Sequence, residues 1–208
     1  PHSQRRGNGD GIADLDTSRI YYAGTSLGGV LGLTFVSLAP ELRGSFTHVT
    51  GVGVTSILST SVLWSSFFSN LEPKEANGAE ALLLRAAIQH ELDYGDAINF
   101  AHYVRNPPPG ILPKPTAMVV GEGDTIVPNS GTQAVAEIAQ LPLAGNVLFE
   151  MPDVARSDDF VEGYGIKQFR SLVHIYAPLD DVAAHISFVR ASMSRELGRW
   201  LDEREMQP

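Results

Sequence analysis

Three side chains stand in an order that suits nucleophilic catalysis by a hydroxyl: Ser26, Asp124 and His185. A serine hydroxyl is a poor nucleophile at neutral pH. It needs a base within hydrogen-bond reach, and the base needs an acid that orients it. Ser26 sits in Gly24-Thr25-Ser26-Leu27-Gly28, with Gly29 following. In a chain with 20 glycines the five-residue pattern is weak evidence by itself, and its flanks decide its meaning. Arg19-Ile20-Tyr21-Tyr22-Ala23 is rich in strand formers. Residues 27–38 read as a helix with an apolar stripe through Leu27, Val30, Leu31, Thr34, Phe35 and Leu38. A strand, a sharp turn and a helix would hold the serine on a strained elbow with its hydroxyl above the sheet edge. Gly24 and Gly28 are expected where strand and helix pass too closely for a β-carbon.

In an open α/β sheet the partners of such a serine come from loops at the carboxyl ends of strands. Asp124 meets that condition, four residues beyond the apolar run Thr116-Ala117-Met118-Val119-Val120 and inside Gly121-Glu122-Gly123-Asp124. Its competitors, Asp153, Asp158, Asp159, Asp180 and Asp181, lie in polar segments that no strand delivers to a site. The bland reading of Asp124 is a turn acid ahead of Thr125 and Pro128. Among the histidines, His2 is near the start, His48 lies inside a strand, and His90 and His102 lie in a helical block. His174 is within a strand, where alternation packs it away. His185 follows that strand by a short loop and opens the final helix, so it is the base selected.

Residues 45–54 alternate and are β-branched, which predicts a second strand, with Pro40 and Gly44 ending the helix before it. Residues 56–112 change character, with helical spacing over 58–71 and 79–104. Pro107-Pro108-Pro109-Gly110 closes the block. Asn129 or Ser130 is expected to cap a helix running to about Gln140. Leu172-Val173-His174-Ile175-Tyr176 reads as the last strand, with Val147–Met151 a short one before it. The final helix spans residues 185–203. Strands alternating with helices predict an α/β fold with a mainly parallel sheet flanked by helices. A length of 208 residues suits one domain, 1–208, with residues 56–112 a helical, cap-like insertion,. Within that insertion, Leu58, Leu63, Trp64, Phe67, Phe68 and Leu71 form an apolar set whose default reading is core packing. The alternative is an acyl-binding wall over Ser26.

Composition removes several classes. A formal charge of −9 argues against a nucleic-acid-binding surface,. The chain has no cysteine, so thiol catalysis, disulfides and cysteine-held metals are excluded,. No run is long enough for a membrane-spanning helix, and no phosphate loop or nicotinamide fingerprint is present, so no cofactor is expected. Residues 7–16 resemble part of a calcium loop, with Asn8, Asp10 and Asp14 as ligands around Gly11. Arg6 stands where the first acid belongs and Thr17 replaces the bidentate glutamate, so a solvated turn is the preferred reading. The chain begins at Pro1, and its natural start is expected to lie upstream.

These motifs together resemble the α/β-hydrolase superfamily: Gly24-Thr25-Ser26-Leu27-Gly28-Gly29, then Gly121-Glu122-Gly123-Asp124 before Val127-Pro128, then Ala184-His185. More narrowly, residues 10–16 leading into Arg19-Ile20 and a Ser-Leu-Gly-Gly elbow are similar to large bacterial esterases and lipases. The resemblance implies Ser26 as nucleophile, His185 as general base and acid, Asp124 as orienting acid, and the Leu27 backbone N–H as one oxyanion donor. It implies an ester or lipid substrate, and a secreted or cell-envelope location. That superfamily carries about four strands before the elbow and a loop supplying the second oxyanion donor. Neither is in this chain, so the chain is expected to be the C-terminal portion of a longer hydrolase, its N-terminal half lying elsewhere. A serine peptidase or amidase on the same scaffold, and a non-catalytic binding protein of that fold, are the alternatives.

Overall fold

The computed structural model describes residues 15–169, His185 and residues 191–205. The calcium-loop candidates Asn8, Asp10 and Asp14, the strand expected at 172–176 and the first turn of the final helix lie outside the described residues.

The sequence of elements is β1 (Ile20–Thr25), α1 (Leu27–Val30), α2 (Gly32–Leu38), β2 (Leu42–His48), α3 (Val54–Thr60), α4 (Ser65–Ser69) and α5 (Gly78–Leu92). Two short 3-10 turns follow at Ala97–Asn99 and Ala101–Val104. Then come β3 (Thr116–Gly121), α6 (Asn129–Ala139), β4 (Leu143–Ala144), β5 (Arg156–Ser157), β6 (Gly165–Phe169) and α7 (Ala191–Glu205). The strands form one six-stranded sheet in the order β1-β2-β3-β6-β4-β5. Every described ladder is parallel, so the carboxyl ends of β1, β2 and β3 share one edge of the sheet.

Alternation along β3 divides the core into two layers. Met118 and Val120 face one side, against Leu33 and Val36 of α2 and Val135 and Ala139 of α6. Ala117 and Val119 face the other, with Phe46 and the fully buried Trp200 of α7. The Trp200 indole N–H donates to the Gly163 carbonyl, so the polar end of the ring is satisfied inside the core,.

Several local expectations need correction. The helix after the elbow is broken at Leu31 and turns a different face inward. Val30, Leu33 and Val36 are buried, while Leu31 and Phe35 remain 51% and 54% exposed, and Leu27 and Leu38 also face out. Close approach decides this. A β-carbon on Gly29 would fall 1.8 Å from Thr50 Oγ1, and one on Gly32 would fall 2.1 Å from the Tyr22 hydroxyl oxygen. The glycine side of the helix therefore lies nearest the sheet, and the bulkier stripe faces away.

The second strand is shifted to Leu42–His48, so Gly44 lies within it rather than ending the helix. Residues 49–53 form a turn instead, with Val49 at φ 46° and Gly53 at φ 77°. Residues 147–151 form no strand; β4 and β5 lie on either side of them. The strand Gly165–Phe169, not expected from its Lys-Gln interior, pairs directly with β3. The segment between β2 and β3 is mainly helical, with helices shorter than the spacing over 58–71 and 79–104 predicts. α5 stands apart, with none of its 15 residues buried.

Candidate active site

The elbow is built by backbone geometry. Ser26 follows the last residue of β1 at φ 54°, ψ −122°, a sparsely populated positive-φ conformation that costs a non-glycine residue about 1–3 kcal/mol,. Three hydrogen bonds hold it there. Its N–H donates to the His48 carbonyl at 3.0 Å, and its own carbonyl accepts from Gly29 N–H at 2.7 Å and Val30 N–H at 2.9 Å. Beneath the turn, the Tyr22 hydroxyl donates to the Gly28 carbonyl at 2.5 Å.

Gly24 behaves as expected: a β-carbon there would lie 2.5 Å from the Gly28 oxygen. Gly28 does not. A β-carbon at Gly28 would meet only the Tyr22 hydroxyl oxygen at 3.8 Å, an ordinary contact, so the crowding falls at Gly24, Gly29 and Gly32. Leu27 opens α1, a position whose N–H has no partner within the helix.

Asp124 is delivered by the turn after β3. Gly123 takes φ 71°, and the Asn129 side chain braces the loop from within. Asn129 Oδ1 accepts from Gly123 N–H at 3.0 Å and Asp124 N–H at 3.2 Å, while its Nδ2 donates to the Gly121 carbonyl at 3.0 Å. The helix-cap role expected of Asn129 or Ser130 is therefore absent: α6 starts at Asn129 with no side-chain cap. The Asp124 carboxylate is buried and divided between two tasks. Oδ1 accepts from Ile126 N–H at 2.9 Å and Val127 N–H at 3.0 Å, which leaves Oδ2 free to face His185.

The three residues converge. His185 Nδ1 lies 3.0 Å from Asp124 Oδ2, and His185 Nε2 lies 2.7 Å from Ser26 Oγ. A carboxylate only accepts, so Nδ1 carries the ring proton and Nε2 is left to accept from the serine hydroxyl. This is the arrangement in which a hydroxyl can lose its proton as it attacks an electrophilic carbon.

Among the described residues the competing acids and bases lie elsewhere, while Asp180, Asp181, His2 and His174 lie outside the described residues. Asp159 is tied to Arg199 and Lys167. His90 lies in the last turn of α5, and the His102 ring rests on Tyr103 with centroids 4.0 Å apart. His48 ends β2, buried against Phe46, and burial pushes its imidazole below the ordinary range. Among the described residues no cluster of three or more histidine, aspartate or glutamate side chains is arranged to hold a metal ion.

Sequence reasoning missed Tyr22, Asn129 and the His48 carbonyl as supports of this site. An Asn five residues after a candidate catalytic Asp, in the same strand-to-helix turn, is a readable signal for the second. The other two depend on parallel register, in which Thr25 lies opposite His48.

No protein-family model matches the chain, and neither does any curated protein sequence. Solved structures do match in fold. An acetyl xylan esterase from a Thermoanaerobacterium species aligns at TM-score 0.53 and 16% identity, covering 92% of this chain and 48% of that one. An acetyl xylan esterase from a Paenibacillus species gives 0.55 and 15%, covering 92% and 47%. An acylaminoacyl peptidase from Pyrococcus horikoshii gives 0.51 and 12%, covering 91% and 24%. These neighbours share the α/β-hydrolase fold, and at such identities the likeness is one of fold. The chain has that fold over the portion it spans, about half the length of the two esterases and a quarter of the peptidase.

Proposed function

We propose that this chain carries the catalytic residues of a serine hydrolase that cleaves carboxylic esters through an acyl-enzyme intermediate. The observation that carries the reading is the contact chain Asp124 Oδ2, His185 Nδ1, His185 Nε2, Ser26 Oγ, at 3.0 and 2.7 Å. In the first half-reaction Ser26 Oγ attacks the ester carbonyl carbon while its proton passes to His185 Nε2. The same proton then goes to the leaving alcohol as the tetrahedral intermediate collapses. Water, activated by the same imidazole, hydrolyses the acyl-enzyme. The Leu27 N–H is one donor to the oxyanion. A second donor comes from a further portion of the fold that packs beside β1. The unpaired edge of β1 among the described strands and the part-length coverage of the neighbours support this. Losing one oxyanion donor lowers kcat by about 10²–10³, so the 208-residue chain alone is expected to be slow.

The test is covalent labelling. A p-nitrophenyl alkylphosphonate should modify the chain once, on Ser26, with release of p-nitrophenolate, and Ser26→Ala should abolish it. No labelling, or labelling that survives Ser26→Ala, would remove the enzyme reading. A peptidase or amidase is the second reading, favoured by the acylaminoacyl peptidase among the structural neighbours. Matched p-nitrophenyl esters and anilides separate it from the first.

A further inference from the structure

We infer that residues 61–71 form the acyl-binding wall of this site and select esters of medium-length apolar acids over acetyl esters; this rests on the serine-hydrolase reading above. The default expectation for the aromatic set in this segment was core packing, and the structure divides the set differently. Phe68 alone is deeply buried, and it anchors α4. Val62, Leu63, Trp64, Phe67 and Leu71 are 46%, 53%, 48%, 58% and 52% exposed. Single exposed apolar residues are ordinary, but five within ten positions are a local concentration of exposed apolar side chains that calls for an occupant,.

Its attachment says which. The Val62 N–H donates to the Thr125 carbonyl at 2.9 Å, one residue beyond Asp124. Just upstream, Val54 and Ile57 of α3 pack with Val30 and Val127. Val30 lies four residues after Ser26, and the Val127 N–H donates to the Asp124 carboxylate at 3.0 Å. Residues 61–71 are therefore tied to the acid's loop through Val62, and the helix that leads into them packs on residues that follow Ser26 and Asp124, which sets the segment beside the site.

Its chemistry limits the ligand. No ionisable side chain occurs from Ser61 through Leu71. The first one beyond it, Glu72, is already engaged by Arg85 at 2.5 Å. No side chain on the wall carries a charge to neutralise a charged group, while the aromatic and leucine side chains gain by covering methylenes,.

The test compares two p-nitrophenyl phosphonates, ethyl and octyl, by the rate of labelling measured as intact mass. In each reaction the Ser26 Oγ–P bond forms, the bond from phosphorus to p-nitrophenolate breaks, and the serine proton passes to His185 Nε2. The octyl agent should label about tenfold faster or more, since even one methylene in an apolar site is worth about tenfold. Trp64→Ala and Phe67→Ala, both at exposed positions, should each cut the octyl-to-ethyl ratio at least threefold. Leu82→Ser, on the exposed face of α5 with no tie to the site, should leave the ratio unchanged. A wild-type ratio near one, or a ratio that ignores Trp64→Ala and Phe67→Ala, overturns the wall while leaving the hydrolase reading standing. Absence of labelling by either agent overturns both.

Discussion

Replacing Asp124 with Asn separates the chemistry of this site from its scaffolding. In the wild-type chain Asp124 Oδ1 accepts from Ile126 and Val127 N–H, and Oδ2 accepts from His185 Nδ1. An asparagine has one accepting oxygen. The two backbone donors will take it, because turning the amide over would leave two buried N–H groups facing an NH₂, at about 1–3 kcal/mol each. The amide NH₂ is thereby aimed at His185 Nδ1. Two donors cannot face each other, so the imidazole adopts the other tautomer, with Nδ1 accepting and Nε2 protonated. Nε2 then has no lone pair for the Ser26 hydroxyl 2.7 Å away. Loss of the correct tautomer lowers turnover about 10⁴-fold in a serine triad, about 5 kcal/mol of transition-state stabilisation. Folding should hardly notice, because every donor keeps an acceptor. Asp124→Ala, which removes the acceptor for both backbone N–H groups, should by contrast lose about 2–4 kcal/mol of stability. The assay is phosphonate labelling at pH 7 and above, alongside thermal denaturation. Labelling of Asp124→Asn within tenfold of wild type would refute the reasoning. A drop in Tm equal to that of Asp124→Ala would refute the assumption that the turn is retained.

Further predictions concern stability and surfaces. Burial lowers the His48 pKa, so below about pH 6.5 the unfolded chain binds a proton that the folded chain resists,. Stability should be full above that pH and fall as the pH drops toward the lowered folded value; Tm scans from pH 7.5 to 5 should show a shallower decline in His48→Gln. At Asp159, burial raises the carboxyl pKa, but hydrogen bonds from Arg199, Lys167 and Phe160 N–H outweigh it and hold it well below the usual carboxylate range. Asp159→Asn should lower stability by about 1 kcal/mol at low salt and less at 1 M salt, because the network is partly exposed and screened. Leu31→Lys, at the break between α1 and α2, and Phe35→Lys on α2 should leave stability within about 0.5 kcal/mol of wild type while reducing self-association in sedimentation,. Leu33→Ala, on the buried face of the same helix, should lose about 2–5 kcal/mol in urea unfolding,.

The parts of this protein legible in its sequence are those where local preference and tertiary demand agree. β1 and β3 are runs of strand formers, and the residues chosen as nucleophile, acid and base are the ones that lie within hydrogen-bond distance of each other. Illegible features depended on partners far along the chain. β6 reads poorly because Lys167 and Gln168 interrupt it, yet the fold satisfies both. Lys167 pairs with Asp159 and Glu196, and Gln168 accepts from Leu148 and Phe149 N–H. Asn129 looked like a cap because Asn commonly is one, but its side chain turns back to the loop that carries Asp124. β2 ends six residues earlier than its β-branched composition suggests. Val49 must turn at φ 46° so that Thr50 can close on Gly29, and no local propensity announces that.

The inverted helix after Ser26 bears most directly on what the chain needs. Amphipathic spacing identifies an apolar stripe but assumes that the stripe faces the sheet. Here two apolar faces compete, and the one with glycines wins because α1 and α2 must pass close enough to β1 and Thr50 to hold the elbow strained. Leu27, Leu31, Phe35 and Leu38 are left facing outward, on the helices that follow an edge strand with no second partner among the described residues. An edge strand and an apolar stripe are each sticky in water, and a single strand-and-helix unit packed beside β1 would cover both. The same unit would lie next to Leu27, where the proposed hydrolase chemistry calls for a second oxyanion donor. If such a unit exists, the geometry that strains Ser26 and the apolar surface that the unit would cover are two consequences of one choice: glycines at positions 29 and 32 rather than the larger side chains that ordinary helix packing favours.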